Sequence, residues 1–305
     1  MTAQPPRNLP RSIHQRLVNK AQAMGEDPNH ILIRYMMERF LYRLGCSAHN
    51  DRFILKGAML FIAWAGQSHR PTRDLDLLGT GDSSDEALLR IVGEIIRTQV
   101  EPDGLEFDGQ NISISQIREA QDYPGKRVKL PVRLDSASYI LQIDIGFGDA
   151  VTPEPTRVDY PTLLDLPAPR PKAYPRESVV SEKLQILVAF GMSTSRMKDF
   201  YDLWMISRQF SFDGTLLATA VRATFERRNT PIPENVPTAL TDGFAADNTK
   251  QTQWAAFLKR NALADAALRL SEVLRDLRAF LLEPLQAAAQ KGTLSKSWKP
   301  GGPWE

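Results

Sequence analysis

The chain has 305 residues, of which 42% are hydrophobic and 24% charged, and its formal net charge at pH 7 is +2. This composition is typical of a folded globular protein and excludes a disordered or fibrous chain, while the length predicts about two domains. The single cysteine excludes an intramolecular disulfide and a multi-cysteine zinc or iron–sulfur site. All four histidines precede residue 70. Carboxylates would therefore supply most ligands of any metal ion, which favours a hard cation such as Mg²⁺.

The sequence carries no signal for export or membrane insertion. Its N-terminus has no apolar stretch of the kind found in secretory signals, and no segment approaches the ~18 apolar residues of a spanning helix. We therefore expect a cytoplasmic protein with no membrane partner. The small net positive charge does not by itself indicate nucleic-acid binding.

The first part of the chain begins with helical patterns and then alternates strand and helix. Apolar residues at helical spacing predict helices at 11–24 and 28–44. Residues 52–66 predict a short strand that runs into an apolar helix, and residues 70–82 predict a second strand. A capping box at 83–86 predicts the start of the next helix.

Between residues 105 and 148 the hydrophobic period changes to two, which predicts β-strands. Turn signals at Asp108-Gly109 and Pro124-Gly125 indicate that some of these strands form hairpins. A sheet of this kind beside helices indicates an α+β or a mixed α/β fold.

A proline-rich segment suggests the domain boundary. Residues 153–175 contain seven of the 21 prolines, and helical patterns dominate the chain after them. We divide the chain into N-terminal helices (1–50), a sheet domain (51–152), a proline-rich linker (153–175), a helical domain (176–290, including a helix at 262–282) and a flexible tail (291–305).

Two aspartates in the second predicted strand give the clearest chemical signal. On a strand, Asp74 and Asp76 project to the same face, whereas Leu75 and Leu77 point into the core. Two carboxylates at this spacing repel each other, and a divalent metal ion that also binds nucleotide phosphates would remove the repulsion. On this motif alone, a solvated strand end with two unrelated aspartates is the more common explanation.

Asp144 adds a third carboxylate. It lies between Ile143 and Ile145 in an otherwise apolar strand, where a carboxylate is unfavourable unless it is paired or bound to metal. It is a candidate third ligand of the same site. The alternative is a salt bridge to Arg127 or Arg133.

Lys56 and Gly57 lie where a strand ends and a helix begins. Bare backbone and a helix N-terminus can hold a phosphate at such a position. As a signal of two residues, it is weak by itself.

A second cluster of charged residues lies in the C-terminal part. The helical neighbours of Lys183 are apolar, so this lysine either reaches the surface or faces an anion in a cleft. Downstream, Arg196, Asp199 and Asp202 follow at i, i+3 spacing. They form either a salt-bridged helix start, which is common, or a phosphate- and base-binding helix whose aspartates orient Lys183.

Together, these motifs resemble the AbiEii/AbiGii-type nucleotidyltransferase toxins, a branch of the DNA-polymerase-β-like nucleotidyltransferases. The resemblance covers about residues 50–205 and is carried by Leu55-Lys56-Gly57, Arg70-Pro71-Thr72-Arg73-Asp74-Leu75-Asp76, Asp144, Glu182-Lys183-Leu184 and Arg196-Met197-Lys198-Asp199-Phe200-Tyr201-Asp202. One departure is Ala58, where the family usually has a second glycine, a serine or a threonine. The resemblance implies a mixed-sheet polymerase-β-like nucleotidyltransferase domain followed by a C-terminal helical domain.

The resemblance also implies a role for each motif. Asp74, Asp76 and Asp144 would be catalytic carboxylates that hold Mg²⁺, with Asp144 assisting deprotonation of the attacking hydroxyl. Lys183 would be catalytic and bind the triphosphate of the NTP substrate. The implied nucleotide-binding residues are Lys56, Gly57, Thr72, Arg73, Lys183, Arg196, Asp199 and Asp202.

The implied function is that of a toxin from a toxin–antitoxin or phage-defence pair. It is the Mg²⁺-dependent transfer of NMP from an NTP to an RNA 3′ end, with the tRNA acceptor stem as the expected target and a block of translation as the result. A cognate antitoxin encoded nearby is the expected protein partner. The alternatives are transfer to a small-molecule or protein hydroxyl, and a catalytically silent module that binds nucleic acid or a partner.

Basic residues offer a path for RNA, although a run of charges is more often a solvated face. The candidates are Arg118, Lys126, Arg127, Lys129, Arg133, Arg222, Arg227 and Arg228.

Overall fold

The computed structural model describes residues 8–117, 125–263 and 268–305. The chain forms two compact units, one of residues 1–148 with 156–173 and the other of residues 149–155 with 174–305. No helix within the described residues is long and apolar enough to cross a membrane.

The first unit is a mixed sheet with helices. The helices are α1 (Leu9–Met24), α2 (Pro28–Cys46), α3 (Met59–Ala65) and α4 (Asp85–Ile96). The strands are β1 (Phe53–Lys56), β2 (Asp74–Gly79), β3 (Leu105–Phe107), β4 (Ser113–Ile117), β5 (Gly125–Leu134), β6 (Ala137–Phe147), β7 (Thr156–Arg157) and β8 (Lys172–Ala173).

The strand order in this sheet is β3-β5-β6-β2-β1-β8-β7, and β4 also pairs with β5. The pairs β2–β6 and β1–β8 are parallel, whereas the other pairs are antiparallel. The predicted α+β fold with a mixed sheet is confirmed. Pro124, which belongs to the second predicted turn signal of this region, lies outside the described residues.

The core of the first unit follows the alternation of apolar and polar residues in the central strands. Leu75 and Leu77 of β2 and Ile143 of β6 are buried, and each is at most 2% exposed. The intervening aspartates, Asp74 and Asp76, are only partly buried. One sheet face is therefore apolar, and the other presents polar side chains.

Helix caps agree with the local sequence signals. The Ser84 hydroxyl accepts a hydrogen bond from the Ala87 backbone N–H at 3.3 Å, inside the predicted capping box, and α4 begins at Asp85. Asp27 caps α2 through the Asn29 N–H at 2.8 Å. Such caps satisfy backbone donors that the first helical turn leaves without partners.

The proline-rich segment differs from the linker that its composition predicts. Residues 156–173 belong to the first unit, because β8 extends the sheet alongside β1 and β7 pairs with β8. Between these strands Tyr160 is fully buried, and the Leu163 backbone N–H donates to the buried Glu38 carboxylate at 2.8 Å. The proline-rich segment between β7 and β8 is therefore a packed connection within the first unit.

The second unit is mainly helical. Its helices are α5 (Arg176–Phe190), α6 (Met197–Gln209), α7 (Gly214–Arg227), α8 (Asp242–Ala246), α9 (Asn248–Arg260) and α10 (Leu270–Ala289). Two short antiparallel strands, β9 (Phe212–Asp213) and β10 (Ser297–Trp298), accompany them. The C-terminal helices that the sequence predicts are present.

The predicted helix at 262–282 has the wrong bounds. The structure begins α10 at Leu270 and carries it through Pro284, while residues 264–267 lie outside the described residues. Pro284, Leu285 and Ala288 are buried on the extension. Burial of these apolar groups compensates for the backbone hydrogen bond that a proline inside a helix removes.

The C-terminal tail is packed rather than flexible. Its strand β10 pairs with β9, and Trp298 and Trp304 are buried at 3% and 7% exposure. Their indole N–H groups donate to the Ser207 carbonyl at 2.6 Å and the Phe280 carbonyl at 3.0 Å. Two large aromatic side chains provide enough apolar area to order a segment that is otherwise polar and rich in glycine and proline.

Candidate active site

Four charged residues form a row across the central strands of the first unit. Strand register pairs Lys56 of β1 with Asp76 of β2, Asp76 with Asp144 of β6, and Asp144 with Arg127 of β5. Neighbours in register project to the same face of a sheet. The row therefore has two carboxylates in the centre and one cationic residue at each end, and Asp74 lies on the same face two residues before Asp76.

Gly57 allows the chain to pass close to Asp76. A Cβ atom at this position would lie 2.0 Å from Oδ2 and 2.6 Å from Cγ of Asp76, which is well inside van der Waals contact. Its φ of 75° is also in the left-handed region that side chains rarely adopt. Glycine at position 57 is therefore required for the position of the Asp76 carboxylate.

Asp144 is bound by Arg127 at both carboxylate oxygens. Arg127 Nε donates to Oδ1 at 2.9 Å, and Nη2 donates to Oδ2 at 2.7 Å. The side chains are 36% and 16% exposed, respectively. This two-point pairing is the strongest common geometry for an arginine and a carboxylate. A salt bridge to Arg127 is one of the alternatives that the sequence left open for Asp144. Arg133, the other arginine considered as its partner, pairs with Glu106.

The charge of the whole acidic group acts on Arg127. The hydrogen bond to Asp144 raises the pKa of Arg127, and the charges of Asp144, Asp74 and Asp76 raise it further. The negative charges of the three carboxylates therefore favour the charged form of the Arg127 guanidinium.

The fit of the carboxylates to a divalent cation depends on how many of them can bind it together. Asp74 and Asp76 present hard oxygen ligands from one strand face, which suits Mg²⁺. Within the described ranges, however, no group of three or more His, Cys, Asp or Glu side chains is arranged to hold a metal ion. The two oxygens of Asp144 are engaged by Arg127 instead. Asp144 as a third metal ligand therefore stays a prediction.

The remaining nucleotide-binding candidates of the first unit lie just before β2. The Thr72 hydroxyl donates to the Asp74 carbonyl at 3.3 Å and steadies the entry to the strand. Arg73 is exposed. Both are adjacent in sequence to the paired aspartates, and their roles in nucleotide binding stay predictions.

In the second unit, Lys183 of α5 is held between two aspartates of α6. Its Nζ donates to Asp199 Oδ1 at 2.6 Å and to Asp202 Oδ2 at 2.8 Å, and Arg196 Nε donates to Asp199 Oδ2 at 2.6 Å. The aspartate side chains are each 1% exposed, whereas those of Lys183 and Arg196 are 15% and 33% exposed. The buried aspartates thus hold the more exposed Lys183 and Arg196 side chains in position.

The electrostatics of this cluster depend on its cations. Burial acts to raise the pKa of Asp199, but the charges of Lys183 and Arg196 outweigh this effect and lower the pKa to about 2. Such pairing keeps a fully buried carboxylate ionised at neutral pH.

Sequence reasoning missed a second buried ion pair next to this cluster. Glu182, the residue before Lys183, lies 3.4 Å from Arg228, and Arg228 Nη2 also donates to Asp149 at 2.9 Å. Gln185 accepts from Arg228 Nη1 at 2.9 Å. Glu182 was noticeable only as part of the Glu182-Lys183-Leu184 motif. Arg228 lies 46 positions after it, and no local pattern connects the two.

Several of the basic residues considered for RNA have partners within the protein. Lys126, Arg127, Arg133 and Arg228 form ion pairs with Asp85, Asp144, Glu106 and Asp149. Arg222 donates to two backbone carbonyls, while Lys129 is exposed. Arg118 lies outside the described residues. These contacts do not favour a continuous RNA-binding stripe along β5.

A family model matches residues 39–283 of the chain. Its description is "Nucleotidyl transferase AbiEii toxin, Type IV TA system". The matched segment includes both charged clusters described above. A search of curated proteins finds no match.

Two solved structures from Helicobacter pylori are similar to this chain. One is described as a nucleotidyltransferase candidate and the other as JHP933, and each is 15% identical to this chain with a TM-score of 0.47. Each match covers 86% of this chain, and the matches cover 96% and 93% of the respective relatives. At this level of similarity neither structure adds to the assignment, which rests on the family model.

Proposed function

Because this chain belongs to the AbiEii family of nucleotidyltransferase toxins, we propose that it transfers NMP from an NTP to the 3′ end of an RNA in a Mg²⁺-dependent reaction, and that this RNA is tRNA. The observation that carries the proposal is the charged row of the sheet. It brings Asp76 and Asp144 into register, with Asp74 beside them and Gly57 against Asp76.

In this proposal the nucleotidyl group is transferred at the acidic cluster formed by Asp74, Asp76 and Asp144. The RNA 3′-hydroxyl oxygen forms a bond to the α-phosphorus, the bond from that phosphorus to the bridging oxygen breaks, and pyrophosphate leaves. Asp144 is the proposed acceptor of the hydroxyl proton. Asp74, Asp76 and Asp144 would hold Mg²⁺, which supplies positive charge to the phosphates in such reactions.

Lys183 is the proposed triphosphate-binding residue. The two buried aspartates restrict its ammonium group to one position, and a positioned cation stabilises developing phosphate charge without the cost of ordering it during the reaction. Asp199 and Asp202 then contribute to nucleotide binding through Lys183 rather than by touching the nucleotide.

Membership of a type IV toxin–antitoxin family implies an antitoxin partner. We propose that its gene lies next to that of this chain, and that the protein acts in the cytoplasm. In cells, transfer of nucleotides to the acceptor end would prevent aminoacylation and arrest growth.

The acceptor is tested by incubating the purified protein with Mg²⁺, total RNA and each of four α-labelled NTPs. We expect label in the tRNA fraction with the unaltered protein and at least a 100-fold loss with Asp76→Asn. Asp159→Asn is the matched control, since that carboxylate is 80% exposed and lies outside the charged row. It should label tRNA normally.

Each other result contradicts part of the proposal. Label in another RNA would reject tRNA as the acceptor, and label on protein or on a small molecule would favour those alternative hydroxyls. No label with any NTP, or equal labelling by Asp76→Asn, would reject the proposed reaction at this site.

A further inference from the structure

The position of Arg127 implies a role beyond the charge balance of a folded sheet. It occupies the end of the charged row next to Asp144, it engages both oxygens of that carboxylate, and the charges of Asp74 and Asp76 act on it as well. A divalent cation bound by the same three carboxylates would require some of the same oxygen atoms. An arginine and a metal ion that need the same carboxylate compete for it.

We propose that Arg127 is a built-in counter-cation of the acidic cluster, which holds Asp144 until a divalent metal ion displaces it. This inference rests on the proposed function, because it concerns the metal ion of that reaction. Arg127 is accordingly a positioning residue: it acts through Asp144 and does not itself touch the reacting atoms.

The geometry explains why such a residue is useful. Three carboxylates on one sheet face repel one another, and Arg127 reduces that repulsion during folding without any bound ion. At 36% exposure its side chain is open to solvent, so it has room to leave Asp144. A guanidinium anchored by one carboxylate is more easily displaced than one enclosed on all sides, as the less exposed Arg228 is at 9%.

The same strand provides a matched control. Arg133 lies six residues along β5 and forms an ion pair with Glu106, with side-chain exposures of 60% and 62%. Arg133→Met therefore removes an arginine–carboxylate pair from the same strand, at a more exposed site away from the acidic cluster.

The test measures Mg²⁺ binding to the full chain by calorimetry, without nucleotide or RNA. We expect Arg127→Met to bind Mg²⁺ at least five-fold more tightly than the unaltered protein, and Arg127→Lys to lie between the two. In EDTA, Arg127→Met should unfold at a lower temperature than the unaltered protein, and Mg²⁺ should restore most of the difference. Arg133→Met should change neither the affinity nor the response to Mg²⁺.

A purely structural role for Arg127 gives a different result. It would lower the unfolding temperature equally with and without Mg²⁺, and the affinity would be unchanged or weaker, which would overturn the inference. Absence of Mg²⁺ binding by both proteins would overturn it as well.

A second measurement uses the unaltered protein and therefore does not depend on whether a variant folds. In ¹⁵N-arginine-labelled unaltered protein, added Mg²⁺ should shift the Nε–H signal of Arg127 and leave that of Arg133 in place. An unchanged Arg127 signal at saturating Mg²⁺ would overturn the inference. The labelling assay with NTP and RNA is run in parallel: transfer without these Mg²⁺ effects rejects only the role of Arg127, whereas no transfer with any NTP rejects the proposed function.

Discussion

At the scale of single residues, the contact between Gly57 and Asp76 has the clearest consequence for activity. Gly57→Ala places a methyl group 2.0 Å from Asp76 Oδ2 and must displace that carboxylate. We expect nucleotidyl transfer to fall by about 100-fold, the size of effect that a displacement of about 1 Å produces in an active site. The measurement is the initial rate of label transfer.

Gly25→Ala separates this effect from backbone strain. Gly25 has φ 67°, close to the value at Gly57, but an added Cβ would meet nothing within 4 Å. Both alanine variants should lose about 1–2 kcal/mol of folding free energy from the left-handed conformation. Only Gly57→Ala should lose activity, and equal activity in the two variants would contradict the account.

Lys183 is predicted to contribute to stability as well as to nucleotide binding. Lys183→Met leaves two buried carboxylates with less positive charge, and we expect it to reduce the free energy of unfolding at pH 7 by about 3–5 kcal/mol. In the unaltered protein the pKa of Asp199 is lowered from 3.8 to about 2, so its favourable contribution is present above pH 3.8 and is lost as the pH falls through 2.

The pH dependence distinguishes this effect from loss of packing. Without Lys183 the pKa of Asp199 rises, because burial is then less strongly opposed. The difference in unfolding free energy between the two proteins should therefore shrink as the pH falls below about 4, which urea unfolding at pH 7 and at pH 3 measures. Lys198→Met, at an exposed position of the same helix as Asp199, should behave like the unaltered protein. A difference that does not vary with pH would contradict the electrostatic explanation.

Residue types and local spacing were sufficient to find most candidate site residues, but not their contacts. Alternation along a strand placed Asp74 and Asp76 on one face, away from Leu75 and Leu77. The pairing of Asp144 with Arg127 was one of two open alternatives. It was decided by the register of β5 against β6, which a single strand does not encode.

At the scale of elements, strong local signals gave accurate bounds. The helical patterns at 11–24 and 28–44 correspond to α1 (Leu9–Met24) and α2 (Pro28–Cys46), and the predicted capping box at 83–86 lies at the start of α4, where Ser84 is the N-cap. Apolar periodicity failed at α10, because burial at Pro284 and beyond extends the helix past its usual stop signal. The two-residue strands β7, β8, β9 and β10 are too short to carry a period.

The packing of the C-terminal tail predicts that Trp304 contributes to the stability of the protein. Trp304 is 7% exposed, lies nearly parallel to the Phe280 ring at 6.1 Å between centroids, and donates to the Phe280 carbonyl. We expect Trp304→Ala to reduce the free energy of unfolding by about 3–5 kcal/mol, as measured by urea denaturation. A loss of less than 1 kcal/mol would indicate that the tail does not contribute to the core.

Lys299→Ala is the control within the same segment. Its ion pair with Glu305 is exposed, at 67% and 53%, and exposed pairs contribute at most about 1 kcal/mol. A loss as large as that of Trp304→Ala would contradict the assignment of tail stability to the buried indole.

At the scale of the whole molecule, the order of motifs was more informative than composition. Composition directed attention to carboxylates, and the two charged clusters consist of aspartates, lysines and arginines. Composition marked residues 153–175 as a linker, but proline content reports local stiffness and does not show that residues 156–173 return to the sheet through β8 before the second unit resumes at Tyr174. The units are interleaved in sequence, with residues 149–155 in one and 156–173 in the other. Only long-range contacts reveal such a division.

Whether the protein transfers a nucleotidyl group is decided by the fate of the label in the NTP. The purified protein is incubated with Mg²⁺, tRNA and the same NTP labelled at either the α- or the γ-phosphorus. We expect α-label covalently attached to the tRNA 3′ end, γ-label released as pyrophosphate in equal amount, and neither product with Asp76→Asn. Label from the γ-position on RNA, release of inorganic phosphate in place of pyrophosphate, or full activity of Asp76→Asn would contradict it.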